Sequence, residues 1–317
     1  MDGRDNEALA LDAAARACDA AATLLMSTIP CAVRRAEHRL LCDSAADEEA
    51  LRTLLEFHQD IVSPISEHFA YALPCGAALR AIARHAPAGV IEPGAGGGLW
   101  AGLLRRCLPA VDASDCAPAL AWDDQIDVVR STLGSDRRSE DPRALLLCWP
   151  PLELEDEVLM AVDALETYRG RTLLYVGEWR GSTGVVSALS NLTDECGQTA
   201  GAVFQEAVQR DWEPVERVAL PRWPGFTDAL FVFRRKGSRD AATADGTGQQ
   251  AADSAREQGG HVAGATSSRP ARSRARRAEL AERLRGLAAL GIAQPAVLAA
   301  AIVLDVHLRG GAQAAGG

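Results

Sequence analysis

Lysine is almost missing from this chain of 317 residues: Lys236 is the single one. With none upstream of it, a P-loop is excluded, because that loop ends in Gly-Lys-Ser/Thr so that a lysine meets the phosphates. Histidine is missing between Ala86 and Gly260. That gap removes Ser-His-Asp, Cys-His and histidine–metal chemistry from the central region. The eight cysteines, Cys18, Cys31, Cys42, Cys75, Cys107, Cys116, Cys148 and Cys196, form no Cys-x-x-Cys pair. No metal site is expected from them; they read as buried, reduced thiols of an intracellular protein. The N-terminus, MDGRDNEALALDAAAR, lacks the basic and apolar regions of a secretory signal, so a cytoplasmic location is expected. The sequon at Asn191 then carries no meaning. A basic excess is lacking too. The net charge is −10 and falls on the residues before Gly237, which argues against a large nucleic-acid footprint in the main domain.

What is present is apolar material, 48% of residues, enough for a sizeable core. Apolar periodicity predicts helices over 5–27 and 46–61, which would form an N-terminal helical cap over residues 1–75. A helix over 76–85 is stopped by Pro87. Then the pattern alternates. Strands are expected at 88–92, 110–114, 126–129, 144–148 and 172–179, with helices at 99–108, 153–168 and 200–210 between them. Two further strands, 213–220 and 228–235, are joined by PRWPGFT. No crossover helix fits in that loop, so these two should pair antiparallel. Residues 76–236 thus read as one α/β domain. Residues 237–268 read as a disordered linker. Residues 269–317 read as a basic helical tail that opens with five arginines in RPARSRARR. Its apolar stretch 286–304 raises membrane contact as an option, but alanine, glycine and Pro295 favour a small helical hairpin. The arginines are candidates for RNA or anionic lipid, or simply a solvated lead-in.

The densest local signal is Glu92-Pro93-Gly94-Ala95-Gly96-Gly97-Gly98, directly after a predicted strand. As a dinucleotide fingerprint it fits only if counted from Gly96, which shifts the turn away from the strand and puts Leu99 and Trp100 against a pyrophosphate. As E-x-G-x-G-x-G it fits directly through Glu92, Gly94, Gly96 and Gly98. On that motif, on Asp115 at the end of the second strand and on the closing antiparallel pair, residues 71–236 resemble the class I S-adenosylmethionine-dependent methyltransferase superfamily. YALP, LLLCWPP, YVGEWRGSTG and LPRWPGFTDALFVFRR look like a largely uncharacterised group within it. The resemblance implies a Rossmann-like, doubly wound sheet of seven strands, the last antiparallel. It implies S-adenosylmethionine as cofactor. Glycines there let the backbone approach the methionine portion, Asp115 binds the ribose hydroxyls, and Tyr71 covers the methionine end.

One departure matters. Trp149 stands before Pro150-Pro151 where base N-methylating enzymes of this superfamily carry Asn, Asp or Ser, so a small molecule or protein side chain is favoured as acceptor over a nucleic-acid base. Glu178, after the fifth strand, is the first candidate base, with a structural role, paired to Arg180 or to a loop amide, as its rival. Trp149 is a candidate for substrate stacking or for core packing. Trp149, Pro150, Trp179 and Trp223 together would line an apolar substrate pocket. Two other readings stay open: a binding module of the same fold without catalysis, and a nicotinamide-dependent oxidoreductase.

Overall fold

The computed structural model describes residues 3–42, 47–68, 70–116, 129–130, 141–151, 160–182, 184–185 and 199–237. The linker and the basic tail expected beyond Gly237 lie outside them, as does Cys196.

Four N-terminal helices come first: α1 (Gly3–Ser27), α2 (Cys31–Cys42), α3 (Glu48–Phe57) and α4 (Ser63–His68), with a π-helical turn over His58–Val62 between the last two. Asp47 caps α3 by accepting a hydrogen bond from the Ala50 N–H, and Glu48 and Glu49 occupy its positive first turn. The helix α2 is not among the sequence expectations. It is rich in arginine and buries only Val33 and Ala36, against α3 and its neighbours. Among the described residues no helix is long and apolar enough to cross a membrane.

The α/β part runs α5 (Gly76–His85), β1 (Val90–Pro93), α6 (Leu99–Leu104), β2 (Val111–Asp115), β3 (Val129–Arg130), β4 (Ala144–Cys148), α7 (Met160–Thr167), β5 (Thr172–Gly177), α8 (Ala202–Asp211), β6 (Trp212–Ala219) and β7 (Ala229–Arg235). The strands form one mixed sheet in the order β3-β2-β1-β4-β5-β7-β6. Six of them have four to eight residues; β3 contributes two at its edge. β1 pairs parallel with β2 and β4, and β4 with β5. β7 enters antiparallel between β5 and β6, as the short 220–228 loop requires.

Side chains alternate across the central strands. Leu146, Leu174, Val176, Leu230 and Val232 face α1, α5 and α6. Leu145, Leu147, Leu173, Tyr175 and Phe233 face α7 and α8. A third apolar cluster joins the N-terminal helices to the β6–β7 loop through Phe57, Ile61, Leu73, Trp223 and Phe226. The helix α1 shares the first of these cores. Its Asp19 accepts a hydrogen bond from the Gly76 N–H at 2.7 Å, at the start of α5. A methyl at Gly76 would come within 2.9 Å of Ala15, so glycine lets the two helices meet.

Candidate functional site: a cleft at the carboxyl ends of the strands

The chain leaves β1 at Pro93 and turns through the glycine run before α6. Gly94, Gly96 and Gly98 all have positive φ, at +71°, +54° and +78°, a region L-residues disfavour. The bend is pinned to β2 by the Ala95 N–H donating to the Ser114 carbonyl at 3.1 Å. Asp115, at the end of β2, turns its carboxylate toward the bend: Oδ2 accepts from the Gly96 N–H at 2.9 Å. A methyl at Gly96 would touch nothing within 4 Å, so the bend faces open space there. At Gly94 the same methyl would lie 2.5 Å from Met160 Cε, so that position is covered by the first residue of α7.

A cavity of about 290 Å³ opens over this bend. Tyr71, Glu92, Gly94, Gly96, Asp115 and Trp149 all line it, so six sequence candidates from four separate segments come together. Ligand crevices of open α/β sheets lie at this end of the strands. Glu92 is 1% exposed and its Oε2 has no hydrogen-bond partner. Burial pushes its carboxyl up to about 8, against the opposing pull of an Ala101 backbone hydrogen bond and the Arg105 charge. Cys148, beside it on the lining, is pushed well up by burial and by the neighbouring Glu92 and Asp228 carboxyls, which disfavours its thiolate.

Other candidates fall elsewhere. Gly98 does not line the cavity; it is the left-handed residue that starts α6. Pro150 is buried, and its carbonyl accepts from Ala200 N–H. The expected pocket of three tryptophans does not form. Trp179 packs on Phe231 and Phe233, on the sheet face that α7 and α8 cover. Trp223 is 1% exposed inside the cluster of the N-terminal helices. Only Trp149 reaches the cleft, because the residue after β4 is the one whose chain crosses the strand end. Glu178 does not reach it either. It is fully buried, and its Oε1 accepts from the Gly184 N–H at 3.0 Å and the Thr227 N–H at 2.8 Å. It ties β5 to two loops, and of the two structural partners expected it takes the loop amides.

Sequence reasoning missed Asp228. This residue, just before β7, is 3% exposed and accepts from the Trp149 indole N–H at 2.8 Å through Oδ1, while Oδ2 has no partner. Nothing in DALFVFRR marks it, since an acid at a strand start is ordinary. Met160 over Gly94 carried no signal either.

No protein-family profile matches the chain, and no curated protein matches it. Among solved structures it is similar to the 23S rRNA methyltransferase ErmE, at 21% identity and a TM-score of 0.30, covering 50% of this chain and 68% of that one. It is similar to the magnesium protoporphyrin IX methyltransferase ChlM from Synechocystis PCC 6803 with bound SAH, at 13% identity and a TM-score of 0.33, covering 68% and 100%. A third is the 1,6-didemethyltoxoflavin-N1-methyltransferase of Burkholderia thailandensis, at 15% and 0.33, covering 61% and 92%. The strand order defines a mostly parallel, Rossmann-like α/β sheet that begins β3-β2-β1-β4-β5 and closes with an antiparallel β7 inside β6, the arrangement that the resemblance to class I methyltransferases implies.

Proposed function

We propose that the cleft binds S-adenosylmethionine and that the protein transfers its methyl group to an acceptor. One observation carries this reading: the glycine bend leaves open space at Gly96, with the Asp115 carboxylate directly beside it. That is a cradle without side chains next to a group able to accept from two vicinal hydroxyls. Glu92 fits the same ligand from the other side. Its carboxyl belongs to the cavity lining, and its deeply buried Oε2 has no hydrogen-bond partner. In this reading Asp115 holds the ribose, the bend from Gly94 to Gly98 passes behind the methionine portion, Glu92 meets its positive charge, and Tyr71 lies at the mouth.

The cofactor supplies a methyl group on a sulfonium sulfur, already activated for displacement. Held by Asp115, the glycine bend and Glu92, it would offer that carbon to the acceptor's lone pair, with S-adenosylhomocysteine and the acceptor proton as the other products. What remains for this chain is to orient the acceptor and exclude water. Trp149 and Tyr71 are placed to do both. In this reading Glu178 is structural: it is not among the residues lining the cavity, and its carboxylate accepts from loop amides.

The lining also speaks against a nicotinamide dinucleotide. It holds two acids and no lysine, arginine or histidine among the described residues, and a pyrophosphate would meet the Asp115 carboxylate. The reading is tested by thermal melting with either ligand. S-adenosylhomocysteine should raise Tm and NADH should not, and Asp115→Ala should abolish the rise. Stabilisation by NADH alone would overturn it. Methyl transfer itself is read with a radiolabelled methyl donor; binding without any labelled product would leave a non-catalytic binding module.

A further inference from the structure

Trp149 is held in an unusual way. With Ala200 it is one of two described residues other than glycine at positive φ, here +50°, a conformation that persists only where surroundings enforce it. Three contacts enforce it. Its N–H donates to the Val176 carbonyl at 2.8 Å. Its indole N–H donates to Asp228 Oδ1 at 2.8 Å. Phe226 meets the ring edge-on, with centroids 5.5 Å apart and planes at 82°. The other oxygen of Asp228 is buried without a partner, and burial pushes that carboxyl up to about 7. A half-satisfied buried acid is costly to keep, and the one strong bond it makes fixes the Trp149 ring.

The same indole is covered by Tyr71, stacked at 5.1 Å with planes 14° apart. Tyr71 is held far less firmly. It is 48% exposed and makes no hydrogen bond to the described residues. A fixed ring thus lies under a loosely held one, at the mouth of the cleft. The cavity is also small. About 290 Å³ sits at the low end for small-molecule sites, and a nucleoside cofactor alone would fill it. A second ligand needs the room that Tyr71 takes.

We propose that the face of Trp149, fixed by Asp228, is the platform on which the acceptor stacks, that Tyr71 is its displaceable cover, and that the acceptor is a planar aromatic molecule. Stacking on the ligand replaces stacking on Tyr71, so opening the site exchanges one ring contact for another. Asp228 is a positioning residue: it acts through Trp149. The word acceptor rests on the methyl-transfer reading; the planar-ring site does not.

The test is a ligand-observed NMR titration of the full chain with two probes: 2-naphthol and the saturated 2-decalol. We expect 2-naphthol to bind at least tenfold tighter than 2-decalol. Tyr71→Ala, at an exposed position, should tighten it threefold or more. Trp149→Leu should weaken it at least tenfold. Asp228→Leu should weaken it as much, and Asp228→Asn, which keeps an acceptor for the indole, should restore it. Equal binding of 2-naphthol and 2-decalol, or weaker binding to Tyr71→Ala, would overturn the proposal. A parallel titration with S-adenosylhomocysteine separates the two claims. Binding of that compound without 2-naphthol ends the platform alone. Binding of 2-naphthol without it upholds the platform and ends the methyl-transfer reading.

Discussion

Glu92 concentrates the chemistry of the cleft at the scale of one side chain. Its carboxyl is raised to about 8 because burial penalises the charged form. The folded protein therefore binds that proton more tightly than the unfolded chain. Stability from this group is fully present below about pH 4.5 and is lost as the pH rises toward 8. Asp228 adds a loss of the same sign between about 3.8 and 7. Thermal melts should show Glu92→Gln gaining over the unsubstituted protein at pH 8 and not at pH 4.5; an equal effect at both would contradict a buried neutral acid. A cationic ligand reverses the preference, since it favours the ionised form. S-adenosylhomocysteine, through its ammonium group, should then bind more tightly as the pH rises from 6 to 8 and release protons. Calorimetry in buffers of different ionisation enthalpy reads that release, and pH-independent binding would remove Glu92 from the site.

Among elements, the β6–β7 loop explains why several residue-level expectations failed. It is clamped from two sides. Glu37 of α2 accepts from the Gly225 N–H at 2.8 Å, and the His58 ring donates to the Pro224 carbonyl. Trp223 is sunk among the N-terminal helices beside Phe57, and Glu178 holds Thr227 from β5. Trp223→Ala should cost about 3–5 kcal/mol of stability by denaturant unfolding, the range for deleting a large buried ring. Glu178→Ala should cost roughly 1–3 kcal/mol, by leaving buried amides unpaired, yet keep S-adenosylhomocysteine affinity within twofold. A large loss of affinity with intact stability would return Glu178 to the cleft. Sequence order places Glu178, Trp179 and Trp223 near strand ends, but not on a face. Neighbours in a strand point to opposite sides, so Trp179 left for the α7–α8 side. The helix α2 was illegible for another reason: its few buried residues are small, and its charges hide a face that exists only because α3 covers it.

For the molecule as a whole, the alternation of strands and helices and the short 220–228 loop made the architecture readable. β4 and α5 fall where periodicity puts them, and the antiparallel pairing of β6 and β7 follows from a loop too short for a crossover. The glycine bend and Asp115 were readable too, because positive φ demands a residue type and a strand end fixes a place. Asp228 was not readable, since its role depends on a tryptophan far away in the chain. These features meet in one cleft, and the account stands on that bend being a binding surface. The most direct test is a calorimetric titration of the full chain with S-adenosylhomocysteine, repeated on Gly96→Val. The open space at Gly96 predicts saturable binding to the unsubstituted protein, and its loss when a β-branched side chain fills that space while circular dichroism shows the fold intact. No heat of binding, or equal binding to both proteins, would contradict it.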